Sequence, residues 1–234
     1  MRNARIFFLL LPLAIVTARA DVDVEDSERF SVFGLAFTSE VQNGENNIRG
    51  VNVSLLSEER ESVRGLAVGL GVSGIDCMTG IQFALLGCFN EKLNGIRLAG
   101  LYAHNHAFGG VSAAGLFNTT GYGTSRGVQI AGLLNTEFIS FPGWPGSLIV
   151  GGQIALLGNG TGRIQGVQLA LGGNAADTCS GLQIALFNNA TTLRGLQIGL
   201  VNFAEEGSGL QIGLYNSFGQ ADGHRTLPLV NWHF

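Results

Sequence analysis

Few residues of this chain join a reactive type to a useful spacing. Gly69-Leu-Gly-Val-Ser-Gly74 has the Gly-x-Gly-x-x-Gly pattern of a dinucleotide-binding turn. Such a turn needs a strand before it and a helix after it, whereas this run lies inside a strand repeat. His104-Asn105-His106 offers two imidazoles, short of the three or four ligands usual at zinc, and reads as a polar turn. Glu61, Asp76 and Glu91 recur every 15 residues, followed by His106, with Asp177 and Glu206 further on. Stacked, the first three would form a column of like charge, which is unfavourable without a counterion. Arg64 could neutralise part of it, a hard cation would suit it, and a solvated turn is the plainer reading. The chain has no Gly-x-Ser-x-Gly elbow, no phosphate-binding loop and no Cys-x-x-Cys. Metal, cofactor and catalytic residues are therefore all assigned as none.

These residues are carried by a repeat, and a fixed period means a repeat architecture. Eleven segments begin at Gly50, Gly65, Gly80, Gly95, Gly110, Gly127, Gly151, Gly166, Gly181, Gly195 and Gly209. Counting each Gly as position zero, position one is Val, Leu or Ile in ten copies, position three is apolar throughout and position five is Leu in eight. Position two is Gln in seven copies, and position four is only Gly, Ala or Ser. Period-two alternation predicts a strand with one buried face, and the apolar set at one, three and five is expected to be that face. Asn closes the strand at Asn118, Asn135, Asn159, Asn174, Asn188, Asn202 and Asn216. An apolar residue often stands two before the next Gly, as at Ile48, Val63, Met78, Leu93, Phe108, Ile164 and Leu193. The Ala-Gly-Leu at the ends of the Gly95, Gly110 and Gly127 strands is expected to form a β-bulge.

The fold class that follows is all-β: a β-solenoid of 14–15-residue coils, with an antiparallel outer-membrane β-barrel as the alternative. The barrel is suggested by the C-terminal Phe234 with Trp232 and Val230 alternating before it. The solenoid is favoured because every unit has the same polarity. Three Tyr and two Trp are also few for aromatic girdles. Leu229-Val230-Asn231 matches Leu200-Val201-Asn202, so the C-terminus is expected to be a last partial coil.

Residues 181–188, 195–202 and 209–216, together with the Pro-Leu-Val-Asn-aromatic ending at 228–232, resemble the repeats of bacterial surface-repeat proteins first described in leptospires. The resemblance covers roughly residues 48–234. It implies an exported or surface-associated protein with no assigned enzymatic activity.

Composition points the same way. Residues 1–20 read as a signal peptide, with Arg2 and Arg5, an apolar run from Ile6 to Val16, and Ala18-Arg19-Ala20 as the cleavage site. Residues 21–47 are an acidic lead-in with a first strand at Phe30 to Phe37, and residues 48–234 are the β-repeat domain. The processed chain keeps 10 basic against 17 acidic residues, a net charge of −7, which disfavours nucleic acid and anionic membranes. Location is then the cell surface, outer membrane or periplasm, with an unidentified surface or envelope partner and outer-membrane association under the barrel alternative. Cys77, Cys88 and Cys179 are expected as buried thiols.

The function expected is a structural or interaction role. An outer-membrane barrel with a structural or transport role is the second reading, and a solenoid carbohydrate-active enzyme the third. The strands carry no Asp or Glu at positions one to five in any copy, whereas glycosidases use paired carboxylates. The candidate contact surface lies in the two extended copies, Thr119 to Arg126 with Tyr122, and Thr136 to Ser147 with Phe138, Phe141 and Trp144. These aromatic residues either pack on the flank or are free for a partner.

Overall fold

The computed structural model describes residues 30–38, 47–137, 146–220 and 223–233. The expected signal peptide and acidic lead-in lie outside the described residues, except for the first strand. Among the described residues fourteen strands follow one another: β1 (Phe30–Thr38), β2 (Asn47–Gly69), β3 (Val72–Ala84), β4 (Gly87–Ala99), β5 (Tyr102–Ala114), β6 (Phe117–Thr120) and β7 (Thr124–Ala131) in the first half. The second half holds β8 (Leu134–Glu137), β9 (Leu148–Ala155), β10 (Gly158–Ala170), β11 (Gly173–Ile184), β12 (Phe187–Ile198), β13 (Val201–Gln220) and β14 (Gly223–His233).

Every strand but β14 pairs in parallel with its counterpart one coil away, so Gly166, Gly181, Gly195 and Gly209 stack, as do Gln168, Gln183, Gln197 and Gln211. Parallel pairing at this offset is a solenoid, and the barrel alternative, whose neighbours run antiparallel, is excluded. Eleven rungs at about 4.8 Å make a rod on the order of 50 Å long.

Three features close each coil. A two-residue corner such as Leu85-Leu86 breaks the strand after position four, its amides bonding to Gly69 and Gly71 carbonyls at 3.0 Å. Gly100-Leu101 is the same corner one coil later, because Ala99 stays opposite Ala84 and Tyr102 opposite Gly87. No residue is extra there, so the expected bulge does not form. The pairing skips position eleven, as between Arg60 and Ser62, which makes a second corner. The third is the repeat's first Gly. Gly195 has φ of 150°, and a Cβ there would lie 2.0 Å from the Gly181 carbonyl oxygen, a place no other residue can take.

The facing expected from alternation is reversed. Positions two and four point inward: Gln82, Gln129, Gln168, Gln183, Gln197 and Gln211 are each 0% exposed, and Ala84 likewise. Positions one, three and five point out, with Ile81, Ile96, Leu98 and Leu156 all above 40% exposed. The interior is too narrow for the larger set. A Cβ on Gly213 would fall 2.1 Å from the Gly199 carbonyl oxygen and 2.6 Å from Asn202 Nδ2, so position four must stay small because the Asn column fills the space against it. The apolar part of the interior is a different column, Ile48, Val63, Met78, Leu93 and Phe108, continued by Ile149, Ile164, Cys179 and Leu193, all nearly or fully buried.

Two amide ladders run beside that column. Gln153, Gln168, Gln183, Gln197 and Gln211 each donate through Nε2 to the Oε1 of the Gln one coil earlier, at 2.8–2.9 Å. Asn135, Asn159, Asn174, Asn188 and Asn202 each donate through Nδ2 to the Oδ1 of the Asn one coil later, at 2.7–3.0 Å. The two stacks of amide dipoles therefore run in opposite directions and offset each other. The coils starting at Gly181 and Gly195 are one residue shorter, and the loss falls at the corner, so Asn174, Asn188 and Asn202 stay in register.

The C-terminus is not a partial coil. β14 turns back and pairs antiparallel with β13, placing Asn231 opposite Gln211. Asn231 Nδ2 donates to the Asn216 and Arg225 carbonyls at 3.2 and 2.9 Å, and β14 covers the end of the stack.

Polar-in facing inverts the usual rule for core substitutions. Gln197→Leu strands the Gln183 Oε1 acceptor and the Gln211 Nε2 donor, at roughly 1–3 kcal/mol for each buried unpaired group. Leu200→Gln changes a residue 46% exposed at the corner and should stay within about 0.5 kcal/mol. Urea unfolding of both variants checks this. A larger loss for Leu200→Gln would mean the facing is wrong.

Candidate functional site

The second extension leaves the solenoid at Glu137 and rejoins it at Gly146, with the segment carrying Phe138, Phe141 and Trp144 lying outside the described residues. Its base is stapled by one carboxylate. Glu137 Oε1 accepts from the Ser147 backbone N–H at 2.6 Å, and Oε2 accepts from the Gly162 N–H at 2.7 Å. Ser147 Oγ and Thr161 Oγ1, both buried, bond at 2.8 Å beneath it. Backbones come so close here that a Cβ on Gly162 would sit 2.9 Å from Gly146 Cα. Glu137 was not singled out from sequence. The signal for it is weak: an acid falls where the stacked residues are Thr120 and Thr161.

The first extension is mostly strand. Thr119 and Thr120 are buried in β6, and the Gly121 amide bonds the Asn105 carbonyl at 2.6 Å. Tyr122 is half-buried. Beside the base of the second extension, on the same flank, runs a shallow groove of about 380 Å³. Gly158, Gly160, Gly173 and Ala175 form its floor, Leu134 and Thr136 one wall, and Phe187, Asn189 and Phe203 the other. It exists because two successive coils carry glycine where neighbouring coils carry Leu or Phe.

The His104 region is polar but committed to structure. Arg97 replaces Gln in the inner column and is fully buried, its pKa lowered to about 10 by desolvation. Its Nη1 donates to Asn90 Oδ1 at 2.9 Å and to the His104 carbonyl at 2.7 Å, and its Nη2 donates to Ser112 Oγ at 2.6 Å. Burial also lowers His104 to about 4, helped by His106 and Arg97, so the imidazole is neutral at ordinary pH. Thr119 Oγ1 lies 2.9 Å from His104 Nδ1 and 2.8 Å from the Tyr102 hydroxyl. Its own proton goes to the Ala103 carbonyl at 3.2 Å, so it accepts from both neighbours and is not poised as a nucleophile. The His104 and His106 rings meet edge to face, 5.4 Å between centroids. No third ligand joins them, and among the described residues no group of three or more His, Cys, Asp or Glu could hold a metal ion.

Glu61, Asp76, Glu91 and His106 all lie exposed along the position-eleven corner, with Asp177 in the same column. Glu206 does not belong to it, being opposite Thr192 and bonded to its hydroxyl at 2.8 Å. The Gly69–Gly74 run is a solenoid corner leading into β3, with Ser73 buried. All three cysteines are free, but Cys77 is exposed, against expectation, because position twelve lies past the corner on the outer side. Burial pushes the Cys179 thiol up to about 12. No protein-family model matches the chain, and no curated protein or solved structure matches it.

Arg97 interrupts the Gln ladder and leaves two buried atoms unpaired in adjacent rungs, its own Nε and Gln82 Oε1. In Arg97→Gln the new Nε2 can donate to Gln82 Oε1 in the same sense as the rest of the ladder, and a desolvated cation disappears. Removing such a charge with its orphan should stabilise by about 1–3 kcal/mol. Thermal melting checks it: Tm rises for Arg97→Gln, and a clear fall would show that the guanidinium network contributes more than it costs.

Proposed function

We propose that this chain is an exported, non-enzymatic repeat protein acting at the cell surface or within the envelope as a structural or interaction module. The observation that carries this is where the polar and apolar groups sit. The amides that could bind a ligand are spent inside on each other, and thirty-one large apolar residues among those described are exposed. They gather on one flank, at positions one and three, on the Leu-rich corner, and at Phe89, Phe117, Phe187 and Phe203 beyond it. Charged residues such as Glu61, Glu91, Lys92 and Glu206 stand at and just past the position-eleven corner, away from this flank. A monomeric soluble protein seldom leaves so large an apolar surface uncovered, so the flank marks a contact surface.

The charge of the processed chain argues against nucleic acid and anionic lipid as what it contacts. The carboxylates at the position-eleven corner stand on an exposed edge without a cleft to hold a sugar ring, which speaks against a carbohydrate-active enzyme. The apolar start of the chain, with its Ala-Arg-Ala, supports export, and the resemblance to bacterial surface repeats supports a surface or envelope location.

Cell fractionation with surface proteolysis tests the reading. The chain should be recovered from the envelope or surface with its N-terminus near Asp21. Recovery from the cytoplasm with residues 1–20 retained would overturn it.

A further inference from the structure

The flank is not uniform, and one side of it has an unusual purity. Across eleven coils the outward residues at positions one and three are all aliphatic or apolar, with Gly152 the one position lacking a side chain. None of the twenty-two is buried, and Ile81, Ile96 and Leu98 are 43–48% exposed. Both extensions leave the coil after the closing Asn, around the corner from this side. The Gly column and both residues after it stay in register from rung to rung. The result is a flat apolar sheet face, almost wholly aliphatic and thinned only at Ala113 and Gly152.

We infer that this face is covered by the same face of a second copy of the chain. The inference rests on the reading of the protein as an interaction module and names the partner of one surface. Its size fits. About 50 Å of rod by five residues at about 3.3 Å gives on the order of 800 Å² per partner, the standard for a stable interface. Its shape fits, because two such sheet faces pack at about 10 Å with interleaved aliphatic rows. Electrostatics fits too: the ridge carrying Glu61, Asp76 and Glu91 lies on the far side of each copy, so two anionic chains meet without opposing carboxylates. A lipid surface fits this face less well. Its side chains are half-covered by their own rungs, and its one aromatic anchor is Trp232, opposite Leu210 at the last rung with Arg225 over its ring, where a headgroup belt would need Trp and Tyr along the face.

Sedimentation velocity of the processed chain without detergent should give a dimer. Ile184→Asp combined with Ile198→Asp should give a monomer that keeps its strand signal in circular dichroism, because both residues face outward. Should that variant fail to fold, a second measurement stands alone. In a Cys77→Ser background, Ile130→Cys places a thiol mid-face in the sixth coil, where a two-fold axis brings it to its own copy. It should oxidise to a covalent dimer, while Thr191→Cys on the polar ridge should not. A monomeric wild type, a failure of Ile130→Cys to cross-link, or flotation of monomeric chain with phosphatidylcholine vesicles through this face would overturn the proposal. Envelope recovery of a monomeric chain would do so while leaving the proposed function intact.

Discussion

The structure depends on carboxamides stacked one coil apart. A buried amide is costly unless both its hydrogens and its oxygen are used, and from Asn159 and Gln168 onward the coil repeat satisfies them, whereas Gln82 Oε1 and Asn135 Oδ1 stay unpaired. Gln197 Nε2 gives one proton to Gln183 Oε1 and the other, across the interior, to the Phe203 carbonyl at 3.0 Å. Gln211 does the same toward Gln197 and the Ser217 carbonyl. Asn188 and Asn202 instead reach around the Leu-rich corner to the Ile198 and Ile212 carbonyls at 2.9 Å. One ladder thus ties the two sides of a coil together and the other fixes the corner between successive coils. Parallel, in-register stacking is the arrangement that serves them, which is why the period admits so little variation.

The rest follows from filling the interior in this way. Long amides and a small residue at position four leave room for one column of large apolar side chains beside small ones such as Ala176, Ala190 and Ala204, so the remaining aliphatic residues are displaced to the outside. The exposed apolar flank is in this sense a consequence of the polar interior. The ladder is weakest where the sequence departs from it, at Arg97, Ser112 and Ala67. There the inner column holds a guanidinium with its own set of acceptors, a hydroxyl, or no polar group at all.

Much of the fold was legible in the chain: the period, the strand, the parallel stacking, and the shared edge on which Asn188, Asn202 and Asn216 lie. The facing was not, because alternation is unchanged when its two faces are exchanged, and apolarity alone points the wrong set inward. Two signals pointed the other way. A position restricted to Gly, Ala or Ser describes a steric limit, which water does not impose. Val63, Met78 and Leu93 stand two before a Gly and so share parity with positions two and four, the inner set. Of the candidate contact residues, Phe138, Phe141 and Trp144 fall on undescribed residues. The eight residues after Asn118 read as a loop carrying Tyr122, although most of them continue the coil in β6 and β7. Glu137 is not legible in the sequence, since a carboxylate receiving two backbone amides from distant residues leaves no local pattern.

The central claim is that the Gln and Asn columns are inside. Hydrogen–deuterium exchange of side-chain carboxamides, followed by NMR, reads this directly. The Nε2 protons of Gln168, Gln183 and Gln197 and the Nδ2 protons of Asn174, Asn188 and Asn202 should exchange slowly. Those of Gln165, Asn94 and Asn189, which are exposed, should exchange at the rate of a free amide. Equal, fast exchange in both groups would contradict the account.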